Sequence, residues 1–499
     1  MQRFTSWAEI EPTATKAEIE LKHAASTGII CKTGPRNEIP PLHNGWTGIN
    51  RDRVIRAGVL RFFLEKEGKS SNYKREIKVI GAYISQELDL TEAEIQRSLT
   101  LCDCRLFSGI VAERSFWRNP VHIVNCAVPG LNFAEAEFRS QVVLESLNLK
   151  SARPSPLNFQ GARFGSDCFL SSVKVKGHSN FVGSRVSGQL SICGSSFIYS
   201  KKNDVALDMQ DSRINSNLFL DGQTTFIGGL DLTAAFIRDL VDNEVDWKTA
   251  CQGPLNINGF KYSIIHGATD STSRLEWLNL GERHQQDFHP QPYKQLAKTL
   301  HDMGHEADAK KVRIALARKL TIQTRARRTV ILDGTGAAAW LSLWYDFTNP
   351  FLWIWHNTLG LLTDHGFRPG KSVAALVALW VLAVCPAHLA WEEGSFAPNS
   401  GPILTSPEWK ALARTDPNPA QAWGQSVPGK DWESFDKYAY AADLVIPILD
   451  LGQTDAWAPS TERGWWGKQL WWLRWVFTTL GWIVTALGAA ALTGIIRRE

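Results

Sequence analysis

The sequence predicts a mainly β solenoid followed by a helical hairpin and two transmembrane α-helices. Three observations carry that prediction. Between about residues 81 and 232, apolar pairs in an x-L-x-L pattern return every 21–22 residues: Leu99 and Leu101, then Val121 and Ile123, then Val142 and Leu144. From about residue 290 the apolar period becomes helical. Of 21 tryptophans, 16 lie after residue 339, where two long apolar stretches also fall, and that clustering marks a membrane interface.

An alternation of two inside a short run is a strand with one buried face, and the long interval places each strand on its predecessor one coil later. Leu207 and Met209 recur as Leu230 and Leu232, with Leu218 and Leu220 halfway between. The length of 499 residues allows roughly three domains. A net charge of +4, with no dense Lys/Arg run interleaved with aromatics, predicts no nucleic-acid partner.

In chain order, the polar start MQRFTSWAEIEPTATK has no apolar core of a secretory signal, so the folded part is expected to begin in the cytoplasm. Residues 1–78 form an N-terminal segment. In it a helix over 51–67 places Val54, Ile55, Val59, Leu60, Phe62 and Phe63 on one stripe and caps the first coil. The cytoplasmic β-helix is assigned to 79–288, with Leu, Ile, Val, Phe and Cys inward and Asp, Asn, Ser and Arg at corners. Insertions at 151–157 and 200–204 bulge from corners. Cys102, Cys104 and Cys126 are spaced as soft-metal thiolates can be, but Cys104 and Cys126 are one coil apart, which predicts small apolar residues stacked in the interior.

Residues 289–330 read as a helical hairpin, with helices over 293–302 and 306–320 broken at Met303-Gly304. Gly304 supplies the left-handed turn and Asp308 lies in the first turn of the second helix, where its charge suits the dipole. His301 and His305 echo the H-E-x-x-H of zinc proteases. That motif needs both histidines on one unbroken helix, which Gly304 prevents, so no metal is assigned. An aromatic interfacial linker, 331–371, contains Gly334 and Gly336 in a G-x-G-x-x-A run after a short β-like stretch. These glycines are weak candidates for a dinucleotide site, because no second parallel strand follows.

The membrane domain is assigned to 372–499, with spans at about 372–391 and 475–496 and an external loop, 393–469. Ala374, Ala375, Ala378, Ala490 and Gly494 permit close helix contact. Pro386 and His388 fall near the exit of the first span, where the imidazole suits the interface. Lys and Arg cluster before the first span and after the second, which predicts cytoplasmic termini. Within the loop, YAYAADLVIPILDLGQTDAWAP (438–459) is too short to span and is broken at Pro447, so it lies on the membrane or re-enters it. Asp443, Asp450, Gln453 and Asp455 are its candidate functional residues; Asp450, Gln453 and Asp455 form a ring only in a homo-oligomer.

The fragments LNFAEAEF (131–138), LNFQGARF (157–164) and LDLTAAFI (230–237) resemble the coils of pentapeptide-repeat proteins, which implies a right-handed β-helix with irregular corners. VIRAGVLRFFLEKEG (54–68), GAYISQELDL (81–90), HPQPYKQLAKTLHDMGHEADAKKV (289–312), LLTDHGFRPGKS (361–372) and YAADLVIPILDLGQTDAWAP (440–459) together resemble a family of bacterial membrane proteins with such coils. That family is often labelled "membrane-associated oxidoreductase". The resemblance implies the bacterial cytoplasmic membrane and, through the label, a flavin, nicotinamide or haem. The residues themselves show no convergent nucleophile, base or metal set, so no catalytic residue and no cofactor are assigned. They predict a membrane-anchored scaffold or sensor without catalysis, in contact with the lipid bilayer and with a protein partner on the β-helix face. The alternatives are an oligomeric two-span pore or membrane effector, and an oxidoreductase.

Overall fold

The computed structural model describes residues 3–41, 49–65, 76–150, 155–199, 204–283, 287–334 and 370–493. They divide into two compact units, Met1–Leu316 and Ala317–Glu499.

The first unit is a β-solenoid of about eight turns over residues 76–266. Every strand pairs in parallel with the strand one coil on. Along one wall the register runs Leu99, Val121, Val142, Cys168, Leu190, Leu218, Leu240, Ile265. A coil thus takes 21 to 28 residues, and the 26- and 28-residue coils are those that contain 151–154 and 200–203. The corners are irregular, yet four walls persist because each wall keeps two inward side chains. In one coil these are Val121 and Ile123, Cys126 and Val128, Leu131 and Phe133, Ala136 and Phe138, none more than 2 % exposed. Leu207 and Leu218 occupy opposite walls, so half the interval is half a coil. The fragments 131–138 and 157–164 lie directly on each other, Leu131 on Leu157 and Phe138 on Phe164. Their rings stack at 5.3 Å for Phe133–Phe159 and 5.1 Å for Phe138–Phe164, each pair contributing about 0.5–1.5 kcal/mol beyond its buried area.

One corner repeats the same chemistry in six coils. The side-chain oxygens of Asp89, Asn132, Asn158, Asn180, Asp208 and Asp231 each accept the backbone N–H two residues on. The third residue after each adopts a left-handed conformation, as at Glu92, Glu135, Gly161 and Ala234. An Asx turn thus bends the chain into the next wall, and tolerates non-glycine residues there at a cost of about 1–2 kcal/mol each.

The N-terminal end is closed differently from the sequence expectation of a helix over 51–67. Val54–Arg56 is a strand paired on Tyr83–Ser85, because β-branched Val54 and Ile55 complete a wall, and the helix is Ala57–Glu65. A second helix, Lys16–Thr27, carries a Thr15/Glu18 capping box. Glu18 is fully buried and accepts from Thr15 N, Arg56 N, Arg56 Nε and Arg56 Nη2 at 2.7–3.0 Å. Four donors on one carboxylate offset its desolvation.

At the other end the coils stop at His266, short of 288, and Ser271–Glu282 is a helix. The hairpin helices are Gln291–Asp302 and Glu306–Gly334, with Gly304 at φ +85° between them. Asp308 accepts from Ser271 N at 3.1 Å. The first hairpin helix covers the open edge of the last coil with side chains at every fourth position. Gln291 accepts from Gly259 N and donates to Phe260 O, Gln295 and Thr299 donate to Tyr262 O, and Met303 Sδ accepts from Ile265 N. From Gln291 to Met303 the chain rises about 18 Å along the helix, and from Phe260 to Ile265 about 17 Å along the strand, so one helix spans the whole edge.

The second unit is organised on two apolar helices, Gly370–Glu392 and Trp465–Leu492, both long and apolar enough to cross a membrane. The second begins ten residues before the expected 475, because 465–474 (WWGKQLWWLR) is helical too. Arg474, just before the expected start, lies over the rings of Trp471 and Trp475 within the helix. Glu393 takes the N–H groups of Trp465, Trp466 and Gly467 at 2.9–3.3 Å and caps the second helix from the end of the first. Between the helices, Phe396–Pro398 pairs antiparallel with Trp457–Pro459. An aromatic core of Trp391, Phe396, Trp423, Phe435, Tyr440 and Trp457 fills the loop.

Candidate functional site

The loop residues singled out in the sequence come together as the fastenings of one excursion of the chain. Helix Lys437–Val445 leads in, residues 446–452 turn, and helix Gln453–Ala456 leads out. Asp443 accepts from Leu451 N at 2.8 Å and from Thr454 N and Oγ1 at 3.0 and 3.1 Å. Gln453 is buried, accepts from Asp436 N, and donates to Ser434 O and Glu433 Oε1. Asp450 is exposed and takes Gly452 N in an Asx turn. Asp455 is exposed. Asp443 and Gln453 therefore hold the loop shut, while Asp450 and Asp455 face outward. His388, half-exposed, has the Glu392 carboxylate 3.8 Å from Nδ1 at the end of the first apolar helix, a partner that the sequence reading did not supply.

Elsewhere the weaker motifs are placed as follows. Gly336 and the rest of the linker to 369 lie outside the described residues. Gly334 is the last residue of helix Glu306–Gly334, so the stretch 329–332 is helical and not the expected β-like run. His301 and His305 fall on either side of the Gly304 turn, and His301 pairs with Glu306. Cys104 and Cys126 occupy equivalent inward positions of successive coils, with Cys104 N donating to Cys126 Sγ at 3.3 Å. Burial pushes the Cys31 thiol up to about 12 and Cys251 to about 11, which keeps both protonated and unreactive. A cavity of about 180 Å³ beside Trp247 and Trp277 adjoins a buried ion pair. In that pair Asp242 accepts both Nη groups of Arg274 at 2.7 Å, so the charges there satisfy each other.

The solenoid presents one feature that the sequence reading missed. Arg163, Arg185 and Arg213 are exposed and stand in direct register on consecutive coils of one wall, about 4.8 Å apart. Other arginines on and around this wall are matched: Arg114 with Glu92, Arg118 with Glu94, Arg139 with Glu137 and Arg238 with Asp239, at 2.8–3.1 Å. The three stacked arginines form no ion pair among the described residues; Arg213 lies over the Phe236 ring. Like charges in register destabilise a sheet. The recurring A/S-R-apolar triplets at 162–164, 184–186 and 212–214 were the available signal.

No protein-family model matches the chain, and comparison with curated proteins and solved structures gave no match.

Proposed function

We propose that this protein is a membrane-anchored β-solenoid that binds an acidic segment of a protein partner and has no catalysis of its own. The arginine ladder, which forms no ion pair among the described residues, carries this reading. Three guanidinium forks stacked on a rigid wall offer paired donors to successive carboxylates, and an anionic partner relieves their mutual repulsion. The ladder is also short. Toward its ends the charges are matched, Glu137 by Arg139 and Asp239 by Arg238, so the unmatched positive stretch is three rungs long and suits a short acidic segment. Both ends of the solenoid are covered, which leaves its walls as the binding surface. In this reading the apolar helices anchor the chain in a bacterial cytoplasmic membrane, with both termini in the cytoplasm.

The test is titration of the detergent-solubilised full chain with a fluorescent Asp/Glu-rich dodecapeptide. Saturable binding that weakens with salt, and falls at least tenfold in Arg163→Glu/Arg185→Glu but not in Arg114→Ala, is the expected result. Equal binding to all three chains, or none to the parent, overturns the reading.

A further inference from the structure

The second unit allows the depth of its loop to be measured against the two apolar helices. These are antiparallel: a β-carbon added at Gly488 would lie 3.1 Å from Ser372 Cβ, and at the other end one at Gly467 would lie 2.6 Å from the Cβ of Ser395, three residues beyond the first helix. Seven residues inward from the first of these contacts, Leu379 and Gly481 share one level, near the middle of Gly370–Glu392. The loop reaches that level. Trp380 Nε1 donates to Tyr438 O at 2.9 Å, Thr478 Oγ1 donates to Leu444 O at 3.2 Å, and a β-carbon at Gly481 would meet Val445 O at 1.9 Å. From Glu392 down to Trp380 is twelve residues, about 18 Å of helix. Half the hydrocarbon thickness of a bilayer is about 15 Å.

What the chain exposes at this level is apolar apart from Asp450, whose carboxylate takes Gly452 N. Ile448 is 81 % exposed, with Leu449 and Leu451 beside it. Val377, Val381, Leu382, Leu480, Trp482 and Ile483 are the exposed apolar side chains of the helices around this level. Irregular backbone survives in hydrocarbon only when its polar groups are satisfied internally. Around the tip that condition is served by Asp443, which takes Leu451 N and Thr454 N, by Ile446 O, which takes Leu449 N, and by Asp450, which takes Gly452 N.

We infer that residues 446–451 are the tip of a re-entrant hairpin whose occupant is the acyl-chain region of the bilayer, and that Asp443 is the positioning residue that holds the tip closed. This rests on the two helices crossing a membrane, and the test separates the two claims. Single cysteines at Ile448, Val381 and Val427, in the full chain carrying Cys385→Ser, are labelled with bimane and reconstituted in phosphatidylcholine vesicles; the chain without an added cysteine gives the background. Each is quenched by 12-doxyl phosphatidylcholine or by aqueous iodide. The expected result is lipid quenching at Ile448 and Val381, and iodide quenching at Val427, which is 84 % exposed. Lipid quenching at Val381 with iodide quenching at Ile448 overturns the hairpin alone. Iodide quenching at both overturns the membrane crossing as well. Asp443→Asn, which cannot accept all three hydrogen bonds, is expected to raise iodide access at Ile448 severalfold; unchanged access overturns the role given to Asp443. If that variant does not fold, Ile448 in the parent background still decides the hairpin.

Discussion

The two units achieve order by opposite routes. In the solenoid a position is held by its copies: Phe159 lies between Phe133 and Phe181, and backbone ladders on every wall repeat the restraint coil after coil. In the second unit a position is held once. Glu393 is a single acceptor for three N–H groups, Gly481 a single close approach, Asp443 a single clasp. Damage to a repeated structure should therefore remain local, whereas loss of a unique contact should release a whole segment.

The largest expected effect tests the repeated side. Phe159→Ala removes a buried ring flanked by two others and should cost about 3–5 kcal/mol. Hydrogen exchange followed by mass spectrometry should show faster opening in the coils around 131–186 and unchanged protection over 370–493; loss across both units would erase the contrast. Gly481→Ala comes next. Its β-carbon would strike the Val445 carbonyl, at an overpacking cost of about 1–3 kcal/mol, and should expose the amides of 437–456 together while the solenoid keeps its protection. Glu393→Ala should cost about 1 kcal/mol, seen as fraying confined to the first turn of Trp465–Leu492. The smallest mutational effect has the opposite sign. Ala234 sits at φ +58°, so Ala234→Gly should stabilise by about 0.5–1 kcal/mol in urea unfolding of the full chain, and a loss of stability would remove the strain argument.

A pH series sharpens the same contrast. Cys31 and Cys251 titrate at about 12 and 11 in the folded chain, because burial disfavours the thiolate. The unfolded chain loses these protons from about pH 8.5. Above that pH the folded state holds more protons, so stability should fall as pH rises. Cys31→Ala/Cys251→Ala should flatten the slope in urea unfolding at pH 8–10; an unchanged slope would place the effect elsewhere.

The walls were legible because repetition makes a weak signal loud: Leu99, Val121 and Val142 need only share a face and an interval to reveal register. The closures were not, since each is a meeting of residues distant in sequence with no period. Arg56 reaches Glu18 across 38 positions, and Gln291 and Gln295 read as ordinary surface glutamines until the open edge of the last coil is set beside them. The loop was half legible. Its apolarity and Pro447 indicated a break in the chain between the two long apolar helices, and Asp443 and Gln453 stood out as unusual, but their task of clasping the return was hidden. The arginine ladder was written in the triplets at 162, 184 and 212, whose intervals of 22 and 28 residues conceal that the rungs are adjacent.

The glutamine stripe over the last coil also sets what the solenoid can become. A bare ladder edge templates further strands, so a stack left open can join another end to end and grow into a fibre. Gln291, Gln295 and Thr299 spend that edge on a helix of the same chain, and Lys16–Thr27 does the corresponding work at the start. The number of coils is thereby a heritable length. Duplication or loss of one internal coil would move the two lids apart or together by about 4.8 Å without altering either, so the solenoid can be resized like a ruler cut between fixed end-stops.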